Sequence, residues 1–258
     1  MIHIKSPEEV AAMREGGKIL AEILHELAIG TKIGMKTSDI NLKAETLMSK
    51  MGVAPSFKGY HGFPAVVCIS VNDEVVHGIP GKRTLQDGDL VKIDCGVIHK
   101  GFHTDAAVAV MLGKVKKEVR DFVTIVQKSF EKGLSVIRPG AHTGDIGFAV
   151  QRWIESHGYS VVRDFIGHGV GRNLHEDPEV PNHGKKGKGA LLVPGMVIAV
   201  EPIITMGERF VEILADGWTV MAKDGSPACQ IEHTIAITPT GCEVLTKYNN
   251  TINAIYSQ

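Results

Sequence analysis

Apolar residues in the first thirty positions recur with a helical period. Val10, Met13, Leu20, Leu24 and Leu27 fall three, four or seven apart, the spacing that lines one face of an α-helix. Ser6-Pro7-Glu8-Glu9 supplies a capping serine, a proline at the first helical position and a glutamate at the third, and Gly30 ends the run. A second helix is predicted over 37–51. From 64 to 110 the pattern changes to alternation, which predicts antiparallel strands with Gly101 in a hairpin turn. Helices near 116–134 and 143–157 follow, then strands around 159–166, 197–205, 209–214 and 230–238. The glycine-rich stretch 184–195 reads as a loop. Helices and antiparallel strands in blocks predict an α+β fold, with helices packed on one face of curved sheets.

The pattern also repeats. Residues 88–94 read G-D-L-V-K-I-D and residues 195–201 read G-M-V-I-A-V-E, two apolar runs that end in Asp94 and Glu201. T-D-A-A-V-A-V and I-E-H-T-I-A-I place Asp105 and Glu232 at the heads of two further runs. Residues 34–40 (G-M-K-T-S-D-I) recur as 140–146 (G-A-H-T-G-D-I), an offset of 106 that also pairs Gly52 with Gly158. Four landmarks in the same order favour an internal duplication over chance likeness of short apolar segments. The reading is one domain over 1–258 with a two-fold pseudo-repeat and its site at the seam, since neither half holds all four acids.

Composition narrows the function classes. The chain has 258 residues, 28 basic and 29 acidic, so no charge excess points to nucleic acid or membrane. The K-K-G-K-G run at 185–189 reads as a solvated loop. Cys68, Cys95, Cys229 and Cys242 show no C-x-x-C spacing, which suits free thiols in a reducing compartment. The N-terminus has no apolar signal region, and no apolar stretch is long enough to span a bilayer. The expected location is the cytoplasm.

The acids carry the chemistry. Asp94 and Asp105 flank a short turn, which brings both to one mouth of the sheet if their faces match. Glu201 follows V-I-A-V and precedes Pro202-Ile203-Ile204, surroundings in which an unpaired carboxylate is costly or protonated. At about 4 Å and an effective dielectric near 20, each like-charge contact costs roughly 4 kcal/mol, so the economical reading is a metal site. His168 in F-I-G-H-G-V-G is flanked by glycines that admit close approach, and it joins the acids as a ligand. The glycines make no G-x-G-x-x-G fingerprint, and G-I-P-G-K-R-T at 78–84 lacks the first glycine of a P-loop. Four carboxylates and an imidazole form a hard site that balances two dications, suited to attack by a metal-held hydroxide on a carbonyl or phosphoryl centre.

The set Asp94, Asp105, His168 in G-H-G-V-G, Glu201 in V-E-P and Glu232 in I-E-H-T resembles the type 1 methionine aminopeptidases. The likeness runs from the first helix to G-C-E-V-L-T at 241–246. It implies the pita-bread fold, two pseudo-symmetric halves around a dinuclear centre holding two divalent ions (cobalt, manganese, iron or zinc). Asp94 would chelate one ion, Asp105 and Glu232 would bridge, and His168 with Glu201 would complete the second, Glu201 also serving as general base. His175 in L-H-E-D-P would stabilise the tetrahedral intermediate, and His77 in V-V-H-G-I-P would hold the substrate near its second residue. Tyr60, Phe63, Cys68 and Trp218 would line the methionine pocket. Phe63 stands where relatives often carry tyrosine, and Cys95-Gly96 departs from the commoner small apolar and hydroxyl residues.

The resemblance further implies removal of the initiator methionine from nascent polypeptides when the second residue is small, with transient ribosome contact. A monomer is expected. Only 32 residues separate His168 from Glu201, too few for the type 2 insertion, and no zinc-binding extension precedes the first helix, which points to the bacterial form. Two alternatives stand beside this. A proline-specific aminopeptidase of the same fold shares the metal ligands, but such relatives usually carry a large N-terminal domain. A non-catalytic pita-bread binding protein would be expected to lose ligands.

Overall fold

Ser6 starts the first helix as its neighbours dictate. Its hydroxyl accepts the Glu9 N–H, and the Glu9 carboxylate accepts the Ser6 N–H, closing a capping box ahead of α1 (Pro7–Gly30). The helix buries Met13, Leu20, Leu24 and Leu27. The computed structural model describes residues 2–247 and 255–257. Its other α-helices are α2 (Thr37–Met51), α3 (Lys117–Leu134) and α4 (Thr143–Glu155).

In the first half the strands are β1 (Ala54–Pro55), β2 (Val67–Val71), β3 (Glu74–Val76), β4 (Leu90–His99) and β5 (Phe102–Leu112). After α4 come β6 (Ser160–Val161), β7 (Gly167–Gly169), β8 (Glu176–Val180), β9 (Val197–Val200) and β10 (Ile203–Thr205). The chain continues through β11 (Val211–Ile213), β12 (Val220–Ala222), β13 (Ala228–Gln230), β14 (Glu232–Thr238), β15 (Gly241–Val244) and β16 (Ile255–Ser257). A ten-stranded sheet follows the path β1-β4-β5-β14-β9-β7-β8, with β2 on β4, β15 on β14 and β16 on β5. The strand β16 runs parallel to β5, and the other pairs of this sheet are antiparallel.

Period-two alternation sorts the side chains of this sheet. Val91, Ile93, Cys95 and Val97 of β4 point to α1 and α2, where they pack with Leu20, Ile23, Leu27 and Ile40. Ile235 and Ile237 of β14 meet Phe122, Val126, Phe130 and Val150 of α3 and α4. Each such side chain contributes roughly 1.5–3 kcal/mol of apolar burial. The alternate residues, Asp94 and Glu232 among them, face the opposite, inner side of the sheet.

The repeat reappears as geometry. Gly34 and Gly140 both have φ of 87°, a left-handed conformation that glycine adopts without a Cβ clash. Asp39 accepts the N–H of Lys36, and Asp145 accepts that of His142, at 2.9 and 2.7 Å. Lys36 bridges to Thr84, and His142 bridges to Leu191. The helix pair α1–α2 thus stands to β4 and β5 as α3–α4 stands to β9 and β14.

Two predicted strands need correction. The stretch 197–205 is two strands in different sheets, β9 beside β14 and β10 beside β13. Pro202 lacks the N–H that would continue the ladder, so the chain turns immediately after Glu201. The stretch 159–166 shrinks to Ser160–Val161, because residues 163–165 form bends.

Candidate metal centre

Strand register assembles the site. Asp94 lies opposite Ala107 across β4 and β5, and Ala107 lies opposite Glu232 across β5 and β14. Asp105 pairs with Gly96, so it sits on the same face as Asp94, one diagonal step away. The inner faces of Asp94 and Asp105 therefore match. Glu201 follows Val200, which pairs with His233 beside Glu232. His168 is the middle residue of β7. Its flanking glycines pass so near other backbone that an added Cβ would come within 2.4 Å of the Ala199 carbonyl oxygen at Gly167 and 2.1 Å of that of Asp177 at Gly169. Strands β4, β5, β7 and β14 and the end of β9 thus each aim one polar side chain at a common point.

The distances agree. One donor atom from each of Asp105, His168 and Glu232 lies within 4.8 Å of the other two. His168 Nε2 is 4.0 Å from Glu201 Oε1. Its Nδ1 is 2.8 Å from the Gly169 carbonyl oxygen, which accepts the ring N–H and leaves the Nε2 lone pair facing the acids. Gln230 lies beneath the cluster, its Nε2 at 3.3 Å from Asp94 Oδ2 and Glu201 Oε2 and 3.5 Å from Glu232 Oε2. Thr234 fastens the floor: its hydroxyl accepts the Asp105 N–H and donates to the Asp105 carbonyl, both at 2.8 Å. Asn182 donates to the Glu201 carbonyl oxygen at 2.7 Å and holds the chain where β9 ends.

The electrostatics favour a cation. Burial pushes the Asp94 carboxyl up to about 7. Burial, then the charges of its neighbours, holds Asp105, Glu201 and Glu232 well above the carboxylate range. Burial also pushes His168 down to about 3, so its imidazole is neutral. Asp94 Oδ1, Asp105 Oδ1 and Glu232 Oε1 are buried without a hydrogen-bond partner, a costly state for carboxylate oxygens. Four acidic groups and one neutral imidazole with lone pairs turned inward fit divalent metal ions.

A cavity of about 170 Å³ opens beside the cluster. It is lined by the acids and His168, by Tyr60, Phe63, Cys68 and Trp218, and by His77 and His175, so every residue singled out from the sequence reaches it. Phe63 meets Trp218 edge-on at 5.1 Å, and His77 meets Phe165 at 5.4 Å. The Tyr60 hydroxyl lies 2.9 Å from His175 Nδ1. Burial lowers His175 and takes His77 to about 4, so both imidazoles are neutral at physiological pH.

The model of metallopeptidase family M24 matches residues 11–239. The chain belongs to this family. A methionine aminopeptidase of Clostridium perfringens is 47% identical over 246 residues, which cover 95% of this chain and 99% of that protein. Methionine aminopeptidase 1 of Bacillus subtilis is 44% identical over 247 residues, 96% of this chain and 100% of its own. The crystal structure of methionine aminopeptidase from Thermotoga maritima superposes with a TM-score of 0.94 at 40% identity, covering 96% of this chain and all of that one. The prolidase of Pyrococcus furiosus shares the fold at a TM-score of 0.78 and 23% identity, with 66% of its chain covered.

As an M24 metallopeptidase the chain has the pita-bread architecture and a divalent-metal requirement. Sequence reasoning missed Phe57, His61 and Leu174 in the cavity wall and Gln230 beneath the acids. The signal for Gln230 was present: it stands two residues before Glu232 in an apolar strand, where an amide needs a polar partner. The other three lie in irregular segments without periodicity.

Proposed function

We propose that this M24 metallopeptidase removes methionine from the N-terminus of polypeptides whose second residue is small. The observation that carries the reading is the position of the cavity. A slot of about 170 Å³ abuts the carboxylates directly, so a bound side chain leaves its own peptide bond beside the acids. Tyr60, Phe63, Cys68 and Trp218 offer rings and a thiol to an unbranched thioether. Asp94, Asp105, His168, Glu201 and Glu232 would hold two divalent ions, drawn from cobalt, manganese, iron or zinc. When bound, such ions polarise a carbonyl and make water nucleophilic at neutral pH.

The chain's own groups do the rest. With the Tyr60 hydroxyl as donor to His175 Nδ1, 2.9 Å away, the imidazole hydrogen would stand on Nε2 and make that atom a donor for the scissile carbonyl oxygen. Glu201 takes the proton of the attacking water and returns it to the departing amine. His77, braced edge-on by Phe165 and Trp218, contacts the substrate near its second residue. Among the described residues no helix is long and apolar enough to cross a membrane. The setting proposed is the cytoplasm, on nascent chains, with transient ribosome contact and the protein acting as a monomer.

The test is metal-stripped protein incubated with Met-Gly-Met-Met and Met-Pro peptides, with Mn²⁺, Fe²⁺ or Co²⁺ added anaerobically. Leu-Gly and Met-Leu peptides serve as controls, and mass spectrometry follows loss of the first residue. Metal-dependent release of methionine only before small residues is expected. Metal binding without cleavage would instead point to a non-catalytic binder, and cleavage confined to the proline peptide to a proline-specific enzyme.

A further inference from the structure

Among the described residues, Lys5 and Glu176 form the deepest ion pair outside the metal centre. The Lys5 side chain is 1% exposed, and its Nζ donates to Glu176 Oε2 at 2.8 Å across 171 residues of sequence. The backbone brings it there: the Lys5 N–H donates to the Gly195 carbonyl at 2.8 Å, just ahead of α1. Glu176 follows His175 directly. Its other oxygen accepts the Asn173 N–H at 3.0 Å, so one carboxylate closes the 173–176 turn and receives the lysine. Burial would raise the Glu176 carboxyl, yet the hydrogen bonds from Lys5 and Asn173 hold it below the ordinary value.

The surroundings are shaped around this pair. A Cβ on Gly171 would stand 2.6 Å from Lys5 Cε and 2.8 Å from both Glu176 carboxylate oxygens, so the third glycine of G-H-G-V-G is the space that the pair occupies. The Gly171 carbonyl accepts the His103 N–H at 2.7 Å, two residues before Asp105. A second tie runs parallel at the surface, where Arg172 donates to Glu9 at 2.9 Å. Lys5 just ahead of α1 and Glu9 in its first turn therefore grip the 171–176 segment at two points, and that segment carries His175 into the cavity wall.

We infer that the Lys5–Glu176 pair is a positioning device for His175, fixing the turn from which the imidazole reaches the substrate carbonyl. Neither residue lines the slot of about 170 Å³ beside the acids, so both act there through the histidine. The inference rests on the reading of His175 as the carbonyl donor. Misplacing such a group by about 1 Å costs on the order of a hundredfold in rate. A pair that only held the N-terminus in place would lower melting temperature and leave turnover of the folded enzyme unchanged.

The experiment is a double-mutant cycle on metal-replete, folded protein. Lys5→Met keeps the stem and removes the charge, and Glu176→Gln keeps the acceptor for Asn173. Each is measured alone and with His175→Ala, for kcat and KM on a Met-Gly peptide, with calorimetric metal stoichiometry alongside. Each single change is expected to lower kcat about tenfold or more, with KM within about twofold and stoichiometry unchanged. In the His175→Ala background the same changes are expected to have no further effect. Losses that add to that of His175→Ala, or parent-level kcat in both single variants, would overturn the inference. If Lys5→Met does not fold, Glu176→Gln decides the matter, supported by the ¹⁵N ring resonances of His175, which must shift. A parent that releases no methionine would refute the proposed activity instead, and a fully active His175→Ala would refute the role given to that histidine.

Discussion

Tyr60 and His175 meet through a phenol oxygen and an imidazole nitrogen 2.9 Å apart, with the rings edge-on at 5.2 Å. This contact gives Tyr60 a task beyond lining a pocket. When the hydroxyl donates, it holds the hydrogen of His175 on Nε2, so that the atom facing the cavity is a donor. Tyr60→Phe keeps the ring and deletes the hydroxyl. Turnover is expected to fall about tenfold, close to 1.4 kcal/mol of barrier, with KM nearly unchanged, because the imidazole then samples both tautomers. His175→Ala should lower kcat further while leaving KM near the parent value. Steady-state kinetics on a Met-Gly peptide decides, and an unaltered kcat in Tyr60→Phe would remove the tyrosine from this role.

Ala107 occupies the centre of the acid cluster, opposite Asp94 on one side and Glu232 on the other. A methyl group leaves room between the carboxylates that a larger side chain would fill. Valine suits a strand, so Ala107→Val should fold, at a cost of roughly 1–3 kcal/mol from crowding. Its metal response is expected to be lost. A ligand at a hundred times its Kd stabilises a protein by about 2.7 kcal/mol, visible as a rise in melting temperature on adding Mn²⁺. A variant with the parent's rise would show that the ions do not use this space.

Asp105 faces two acids of like charge, Asp94 and Glu201. Asp105→Asn keeps the shape and removes one negative charge. Calorimetric titration is expected to find a single ion per chain in the variant and two in the parent. Equal stoichiometry in the two proteins would refute the bridging role given to this residue.

Much of this arrangement was legible beforehand because it is periodic. Alternation fixed the inner face on which Asp94 and Glu232 stand, and the duplicated G-x-x-T-x-D-I segments marked two helix starts that share the same φ at Gly34 and Gly140. What escaped has no period. Pro202 splits a run that is apolar but for Glu201 and Thr205, and its absent N–H is what ends one strand before the next. Strand β8 carries Glu176, Asp177 and Glu179 at the edge of the sheet, and that charge hides it from a search for apolar alternation. Partners 115 or 171 residues apart, Tyr60 with His175 and Lys5 with Glu176, depend on how the two halves close and leave no trace in local sequence.

Arg14 and Glu243 give the pH dependence a clean probe. The guanidinium donates through Nε and Nη2 to the two carboxylate oxygens at 2.6 and 2.8 Å, tying α1 to β15. This bond holds the Glu243 carboxyl below its ordinary 4.5. A group depressed in the folded state stabilises fully above its unfolded value, and that stability disappears as pH falls through the folded value. Both side chains are over a third exposed, so solvent screening keeps the contribution small. Glu243→Gln should therefore cost little at acid pH and more at pH 7. The difference in melting temperature between parent and variant is expected to shrink as pH drops below about 4.5, and a constant difference would contradict the linkage.

Trp218 closes the cavity against Phe63 at 5.1 Å and backs His77 at 6.4 Å. Its place is set by the turn before it, where Asp216 accepts the N–H groups of Trp218 and Thr219 and the Thr219 hydroxyl. None of those bonds uses the indole, so Trp218→Ala should leave the turn intact and remove only the wall. A pocket that selects by fit discriminates by roughly 1–3 kcal/mol per methylene, and a wall of this size carries several such increments. The kcat/KM for a Met-Gly peptide is expected to fall by about tenfold or more, while that for Leu-Gly rises or holds, because the widened slot admits a branched side chain. The ratio of the two rates is the measurement. Proportional losses on both peptides would mean that the tryptophan supports His77 rather than selecting the first residue.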